Sequence, residues 1–533
     1  MASSQGPDDR DASSPDSSSP DSSSPDTTAD RAAAVDPDRR EWDVIVLGGA
    51  AAGENAAQYA SQFSGLTAVL VEAALLGGEC SYWACMPSKG LLRPVEAVDA
   101  AHHLRGVSAS LDATEVLARR DTIVNQLDDA SQVKWALDND IDVVRGYGRL
   151  AGERAVRVTG RDGSTRLLHA RHAVVVDTGS SPSVPETPGL REALPWTSRD
   201  VTNLHEIPRR VVVYGGGVVA CEAATWLRGL GVAELTVVYR GTGLLANQEP
   251  FAGRLVADAL GERGVALRPG RTITAVERPD ARDTGIGLAH GGEVRVTLDD
   301  GSVIVADEIV VAAGRTPNTA DIGLETVGLP ADGFLDVDDQ QTVRRVGGDW
   351  LYAIGDVCGR SLLTHMGKYQ ARIAGEVIAA RAAGGRSGLP GSELPSSELP
   401  SSAAGHVGAP QVTFTNPEVG SAGMTERQAR AAGLDVETAE HDLAALAGTY
   451  VLSDDYRGRA KLVIDRASDT VVGATFVGAG IAELVHSATV AIVARVPLST
   501  LWHVVPSYPT VSETWLRLLE TVRADRHSAA GNR

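Results

Sequence analysis

The chain has 533 residues, 43% of them hydrophobic, and sets 49 basic against 69 acidic side chains for a formal charge of −20. That length exceeds what one hydrophobic core organises, so roughly two to four domains are expected. The acidity argues against nucleic acid as a partner, and no apolar run is long enough to argue for a membrane span. Four cysteines in such a length do not make an extracellular disulfide scaffold, and the chain reads as cytoplasmic.

In chain order, residues 1–40 are rich in Ser, Pro and Asp around SSPDSSSPDSSSPD, which reads as a disordered acidic tail and not a signal peptide. From there apolar strands alternate with Ala-rich helices, the mark of an α/β protein. WDVIVLGG predicts a buried strand running into a glycine turn, and ENAAQYASQF the helix that follows. Gly48, Gly49 and Gly53 lie in that turn, and Glu72 closes the next strand nineteen positions after Gly53. In a Rossmann unit such glycines admit a pyrophosphate at the helix N-terminus, and the acid holds a ribose. Ala50 stands where the second glycine of GxGxxG belongs, so an ordinary glycine-rich turn competes on this segment alone. RRVVVYGGGVVACEAATWLRGL repeats the arrangement, with Gly215, Gly217 and Ala220 fitting GxGxxA. Two such units imply two dinucleotide sites. The stretch around residues 381–409 repeats SELPSSELPSS and reads as a flexible linker. Beyond it, QVTFTNPEVGSAG and KLVIDRASDTVVGATFVG predict antiparallel strands of a separate α+β domain.

GGECSYWACMPSKGLL places Cys80 and Cys85 at C-x4-C, a spacing that points to redox chemistry or a metal. Metal is the weaker reading, because no second Cys/His pair has zinc-site spacing. With the motifs around it, this segment resembles the pyridine nucleotide–disulfide oxidoreductase family, which includes glutathione reductase, dihydrolipoamide dehydrogenase and mercuric reductase. The resemblance runs from about Trp42 to Leu519. It implies two Rossmann-like domains, for FAD and NAD(P), plus a C-terminal α+β dimerisation domain. FAD would be held by 41–195 and 319–380 and the nicotinamide nucleotide by 196–318; the interface would span 410–525, with a tail at 526–533. Cys80 and Cys85 would form the redox disulfide, with Cys85 the charge-transfer thiolate under the flavin and Cys80 the thiol that exchanges with substrate. Lys89 would lie near the flavin, paired with Glu222, while Cys221 and Cys358 read as buried small hydrophobes.

Other segments of the family pattern are present. In YAIGDVCG, Asp356 would hold the ribityl chain, and in VVAAGRTPN, Gly314 and Arg315, followed by Pro317 and Asn318, would return the chain to the FAD domain. VVVDTGSSPSVPETPG resembles the earlier crossover, usually A-T-G-S; Thr178 and Gly179 are kept, but Asp177 replaces the alanine. Tyr239 stands where an NAD enzyme places an acid, and Arg240 follows, which favours NADPH over NADH. Val218 takes the place of a gating aromatic, as it does in mercuric reductases.

The pattern breaks near the C-terminus. The family's H-P-T-x-x-E, whose His protonates the departing thiolate, reads Y-P-T-V-S-E here, with Tyr508 for the His and Glu513 in place. His503 lies five residues early and reads as a surface histidine. Mercuric reductases resemble the chain at position 508 but end in vicinal cysteines, and the tail ETVRADRHSAAGNR has none. The expectation is a homodimer in which Tyr508 and Glu513 of one subunit complete the other's site. The acceptor stays open: a small-molecule or protein disulfide, a mercuric or other metal ion, or a quinone reduced directly from flavin.

Overall fold

The computed structural model describes residues 35–36, 38–384, 401–402, 405 and 407–531. Most of the acidic tail and much of the 381–409 linker lie outside the described residues. Strand β1 (Glu41–Leu47) is buried from Trp42 onward, the apolar run Val44–Leu47 being what a central parallel strand needs and the buried Asp43 being tied to Thr67. It pairs in parallel with β2 (Ala68–Glu72) on one side, Val44 opposite Ala68, and with β3 (Thr165–Val176) on the other. The strand Ile141–Arg145 extends the sheet beyond β2, and two antiparallel strands extend it beyond β3. Late in the chain Leu351–Ala353 returns to pair in parallel with β3, so the first domain is assembled from two separated segments.

Helix α1 (Ala51–Ser61) covers one face of this sheet, with Ala56, Ala57 and Ala60 fully buried. It starts three residues before the predicted segment, because Ala51 and Ala52 are good helix formers. Thr364–Ala382 lies across it so closely that a Cβ on Gly375 would come within 2.8 Å of the Ala60 backbone nitrogen.

The second sheet is parallel, in the order Ala266–Pro269, Glu234–Tyr239, Arg210–Tyr214, Glu308–Val311. The helix Val218–Gly229 packs on it through Ala220, Cys221, Ala223 and Ala224. Crossing between the two domains is made by the antiparallel pair Ser180–Pro182 and Arg315–Pro317. The third unit is a five-stranded antiparallel sheet whose hairpin Arg459–Asp465/Thr470–Gly478 is the one read from KLVIDRASDTVVGATFVG. Its terminal helix Thr514–Gly531 runs through the residues expected to be a tail. Among the described residues no helix is long and apolar enough to cross a membrane.

Candidate functional site

The first glycine turn is built to receive something close to the backbone. Gly48 sits at φ +102°, and a Cβ there would lie 2.2 Å from the Asp177 carbonyl oxygen. A Cβ on Gly53 would lie 2.2 Å from the Gly48 carbonyl oxygen. Neither position admits a side chain. Glu72 braces the turn, one carboxylate oxygen accepting the Gly49 N–H at 2.8 Å and the other the Ala74 N–H at 2.7 Å. The methyl of Ala50, the departure from GxGxxG, is accommodated by a second glycine pair: Gly77 donates its N–H to the Gly49 carbonyl at 2.7 Å, and a Cβ on Gly78 would lie 2.6 Å from the Ala50 methyl. A cleft of about 610 Å³ opens over the turn, lined among others by Glu72, Cys80, Thr178, Arg315 and Asp356. With a helix N-terminus at its floor, this cleft fits a dinucleotide diphosphate.

Asp177 is part of that floor. Ala50, at the N-cap, has no side chain to cap α1, and the Asp177 carboxylate instead accepts the Gly53 N–H at 2.5 Å. Burial raises the Asp177 carboxyl well above the ordinary range; the Gly53 N–H opposes that, while Asp356, Glu72 and Glu54 push the same way. Glu54, in the first turn of α1, is raised to about 7, chiefly by burial. Asp356 accepts a hydrogen bond from Ser180 Oγ at 2.5 Å and lies 3.6 Å from Arg315 Nε. The crossover motifs meet each other: Thr178 donates to the Asn318 carbonyl at 2.7 Å, and Asn318 Nδ2 donates back to the Thr178 carbonyl at 3.0 Å. Gly179 (φ +72°) and Gly314 (φ +139°) make the turns this needs.

Cys80 lies in the short helix Gly78–Tyr82, and Cys85 is the first residue of the helix Cys85–His102. Both are free thiols, hydrogen-bonded to each other. The hydrogen bond from Cys80 lowers Cys85 to about 6 against the opposing effect of burial, helped by Thr364 and the Lys89 charge. Thr364 Oγ1 lies 3.4 Å from the Cys85 sulfur, and it opens a helix of its own. The same bond to Cys85, reinforced by burial, pushes the Cys80 thiol upward. The surroundings therefore favour Cys85 as the thiolate and Cys80 as the thiol. Burial raises Cys221 to about 12 and raises Cys358 also, which leaves both inert.

Lys89 Nζ donates to Glu222 at 2.8 Å and stands 4.7 Å over the ring of Phe414. The other Glu222 oxygen accepts the Phe414 N–H at 2.9 Å, so one buried carboxylate ties all three units together behind the thiols. In the second glycine turn, a Cβ on Gly215 would lie 2.3 Å from the Ala312 carbonyl oxygen, whereas the space over Gly217 is open to 4 Å. Ala220 is fully buried against the sheet. Tyr239 is buried, its ring 3.2 Å from where a Gly216 Cβ would stand, and Arg240 is exposed.

Tyr508 is 76% exposed, beside the exposed Val504 and Val505. Glu513 is buried with one oxygen on Arg517 at 2.6 Å, while its other oxygen has no partner among the described residues. Among the described residues no hydrogen bond joins either to the cysteines of the same chain. His503 is exposed. The sequence reading missed Thr364, Ser180 and Phe414. Thr364 had one available signal, its place at the start of the helix after the Asp356 motif.

The profile of the pyridine nucleotide-disulphide oxidoreductase family matches residues 42–382, and that of the family's dimerisation domain matches 409–518. The mercuric reductase of Staphylococcus aureus is 27% identical over 89% of this chain and 81% of its own. The glutathione reductase of Burkholderia cepacia is 29% identical over 90% of this chain and 98% of its own. Among solved structures, LpdA from Mycobacterium tuberculosis superposes with a TM-score of 0.76 at 24% identity, covering 91% of this chain and 99% of that one. The HOCl-induced flavoprotein disulfide reductase RclA from Escherichia coli superposes with a TM-score of 0.73 at 23% identity, covering 90% and 100%. These two likenesses establish the fold.

Proposed function

The chain belongs to the pyridine nucleotide-disulphide oxidoreductase family, and from that premise we propose that it carries electrons from NADPH by way of FAD to the Cys80–Cys85 pair and on to a disulfide-type acceptor. The observation that carries this reading is the placing of the thiol pair: Cys85 opens a helix with Thr364 Oγ1 3.4 Å from its sulfur, Cys80 lines the cleft, and Lys89, on the same helix as Cys85, is held by Glu222. Bound FAD would supply the link between hydride donation and electron-pair delivery to sulfur. The rest is thiol chemistry of the chain. Cys80, lining the cleft, gives up its proton to solvent and attacks one sulfur of the acceptor, whose other sulfur leaves as a thiolate and is protonated from solvent. The acceptor S–S bond breaks, and a mixed disulfide with Cys80 forms. The Cys85 thiolate then attacks the Cys80 sulfur, closing the Cys80–Cys85 disulfide, and the second acceptor sulfur leaves as a thiolate that is likewise protonated from solvent.

Glycines 48, 49 and 53 with Glu72, Thr178, Gly179, Asp356, Gly314 and Arg315 would hold FAD. Gly215, Gly217, Ala220 and Arg240 would hold the nicotinamide nucleotide. Tyr239 offers no carboxylate to a ribose, and the exposed Arg240 is free to meet a 2′-phosphate, which supports NADPH. Lys89, fixed by Glu222, keeps a positive charge close enough to stabilise the Cys85 thiolate. In a homodimer the exposed segment with Tyr508, and Glu513 behind it, would face the partner's thiols.

Anaerobic titration of the full-length holoenzyme tests this. Wild type should take up about two electron pairs, one for flavin and one for the disulfide, with a long-wavelength absorbance at the halfway point. Cys85→Ser should take up one and lose that absorbance; a band that persists in the variant removes Cys85 from the role.

A further inference from the structure

Asp177 stands where a carboxylate is least welcome if the cleft takes FAD. Its backbone N–H is fixed to the Leu47 carbonyl at 2.8 Å, at the end of β1, and its side chain reaches the first turn of α1. One oxygen accepts the Gly53 N–H, the third donor of the helix, and the other lies 2.8 Å from where a Gly355 Cβ would stand. The carboxylate is thus wedged between Gly53 and Gly355, at 4% exposure and on the wall of the cleft.

Three carboxyl groups face it: Glu54 from α1, Glu72 from the end of β2 and Asp356 from the turn Gly355–Cys358, whose Cys358 thiol burial keeps neutral. The nearby cations are engaged elsewhere: Arg315 faces Asp356 at 3.6 Å, and the Lys368 charge acts on Glu54. Among the described residues no ion pair reaches Asp177. A helix N-terminus attracts an anion through about half a unit charge. The ionised Asp177 already takes it, and a bound diphosphate would need it too.

We propose that Asp177 makes FAD binding proton-linked: the cofactor's diphosphate and the ionised Asp177 carboxylate exclude each other at the N-terminus of α1, so FAD is held with Asp177 protonated and is released more readily when Asp177 ionises. This rests on the FAD-binding reading of the cleft. Protonated Asp177 exposes the helix to the diphosphate alone. FAD in turn favours protonated Asp177, so the proton is taken up on binding wherever the free site has lost it. The window opens above the pH at which the carboxyl ionises in the free site and closes where it ionises even beside FAD. Within it the dissociation constant rises with pH by up to about tenfold per unit, one proton per cofactor. Flavin retention then falls as the surroundings become alkaline, a property the usual alanine would not confer.

Two measurements on the full-length protein test it. Free FAD released from diluted holoenzyme, read by its fluorescence at each pH over which the protein stays folded, gives the dissociation constant as a function of pH. Calorimetric titration of FAD into flavin-stripped protein, in two buffers of different ionisation heat, counts protons. Wild type should show the slope and take up close to one proton. Asp177→Asn keeps an acceptor for Gly53 but cannot ionise, and should flatten the slope and bind FAD more tightly at the alkaline end. Equal slopes and equal proton counts in wild type and Asp177→Asn overturn the proposal while leaving the cofactor assignment intact. So does a slope that survives in Asp177→Asn and vanishes in Glu54→Gln, which assigns the proton to Glu54. A uniform loss of affinity at every pH in Asp177→Asn also overturns it, since Asp177 would then only cap the helix. A wild type that binds no FAD overturns the cofactor assignment as well.

Discussion

Replacing Thr364 by Val removes a single hydroxyl from the thiol pair and leaves its shape almost unchanged. That hydroxyl lies 3.4 Å from the Cys85 sulfur and helps to hold Cys85 near 6. A hydrogen bond to a charged group contributes about 1.5–3 kcal/mol, and 1.36 kcal/mol corresponds to about one pKa unit. The contact is long and half-buried, so the lower end applies, and Cys85 should rise by about one unit. The sign follows from which form the bond favours: Thr364 donates to the thiolate, so its loss favours the thiol. At pH 7 the thiolate fraction should fall from about nine-tenths to about half. The assay is alkylation of the reduced full-length protein by iodoacetamide across pH, with Cys85 followed by peptide mass. The midpoint should move up in Thr364→Val and stay in place in Thr364→Ser, which keeps a donor. An unmoved midpoint in Thr364→Val refutes the argument, as does an equal shift in both variants, which would trace the effect to packing.

Two further outcomes follow from the substrate ends of the relay. Arg240→Ala should weaken NADPH use by about 10- to 150-fold, the value of a charge-assisted contact, with little effect on NADH; steady-state KM values for both nucleotides check it, and equal losses would assign Arg240 no part in selection. Tyr508→His should raise turnover of glutathione or lipoamide disulfides by as much as about 10²-fold, because general acid catalysis of thiolate departure is worth that much or more. The measurement is disulfide turnover at saturating NADPH, and a fast wild type on glutathione disulfide would show that Tyr508 does not limit the chemistry.

What the sequence made legible was whatever depends on local periodicity and fixed spacing. The buried run WDVIVL, the glycine turns and the hairpin Arg459–Gly478 are each set by residues close in the chain. The pairing of Lys89 with Glu222 was also legible, although the two are 133 positions apart, because each sits in a motif with its own recognisable context. What was not legible depends on contacts between segments that carry no common signal. Thr364 reads as an ordinary helix start until the fold brings it to Cys85, 279 positions away. Ala50 looked like a defect in a nucleotide turn, and only the approach of Gly77 and Gly78 shows where its methyl is accommodated. Residues 526–533, expected as a tail because RHSAAGNR offers little apolar pattern, carry the end of the helix Thr514–Gly531, and Arg526 anchors it to Glu437 at 2.8 Å and to Asp469 at 2.8 Å.

Ala50 and Asp177, two departures from the family pattern, share one physical theme with the thiol pair, an anion at a helix N-terminus. Cys85 is the first residue of its helix, and the Thr364 beside it is the first residue of another, so the thiolate sits at two partial positive charges. The first glycine turn offers the same field to a diphosphate, but Ala50 cannot cap the helix and Asp177 does so with a charge. An uncharged cap would stabilise α1 with less competition for the cofactor. A carboxylate satisfies the helix when the cleft is empty and must give up its charge when the cleft fills. On the proposal made above, the same field that favours a thiolate at one end of the cleft would hold the flavin conditionally at the other, and the condition would be the proton on Asp177.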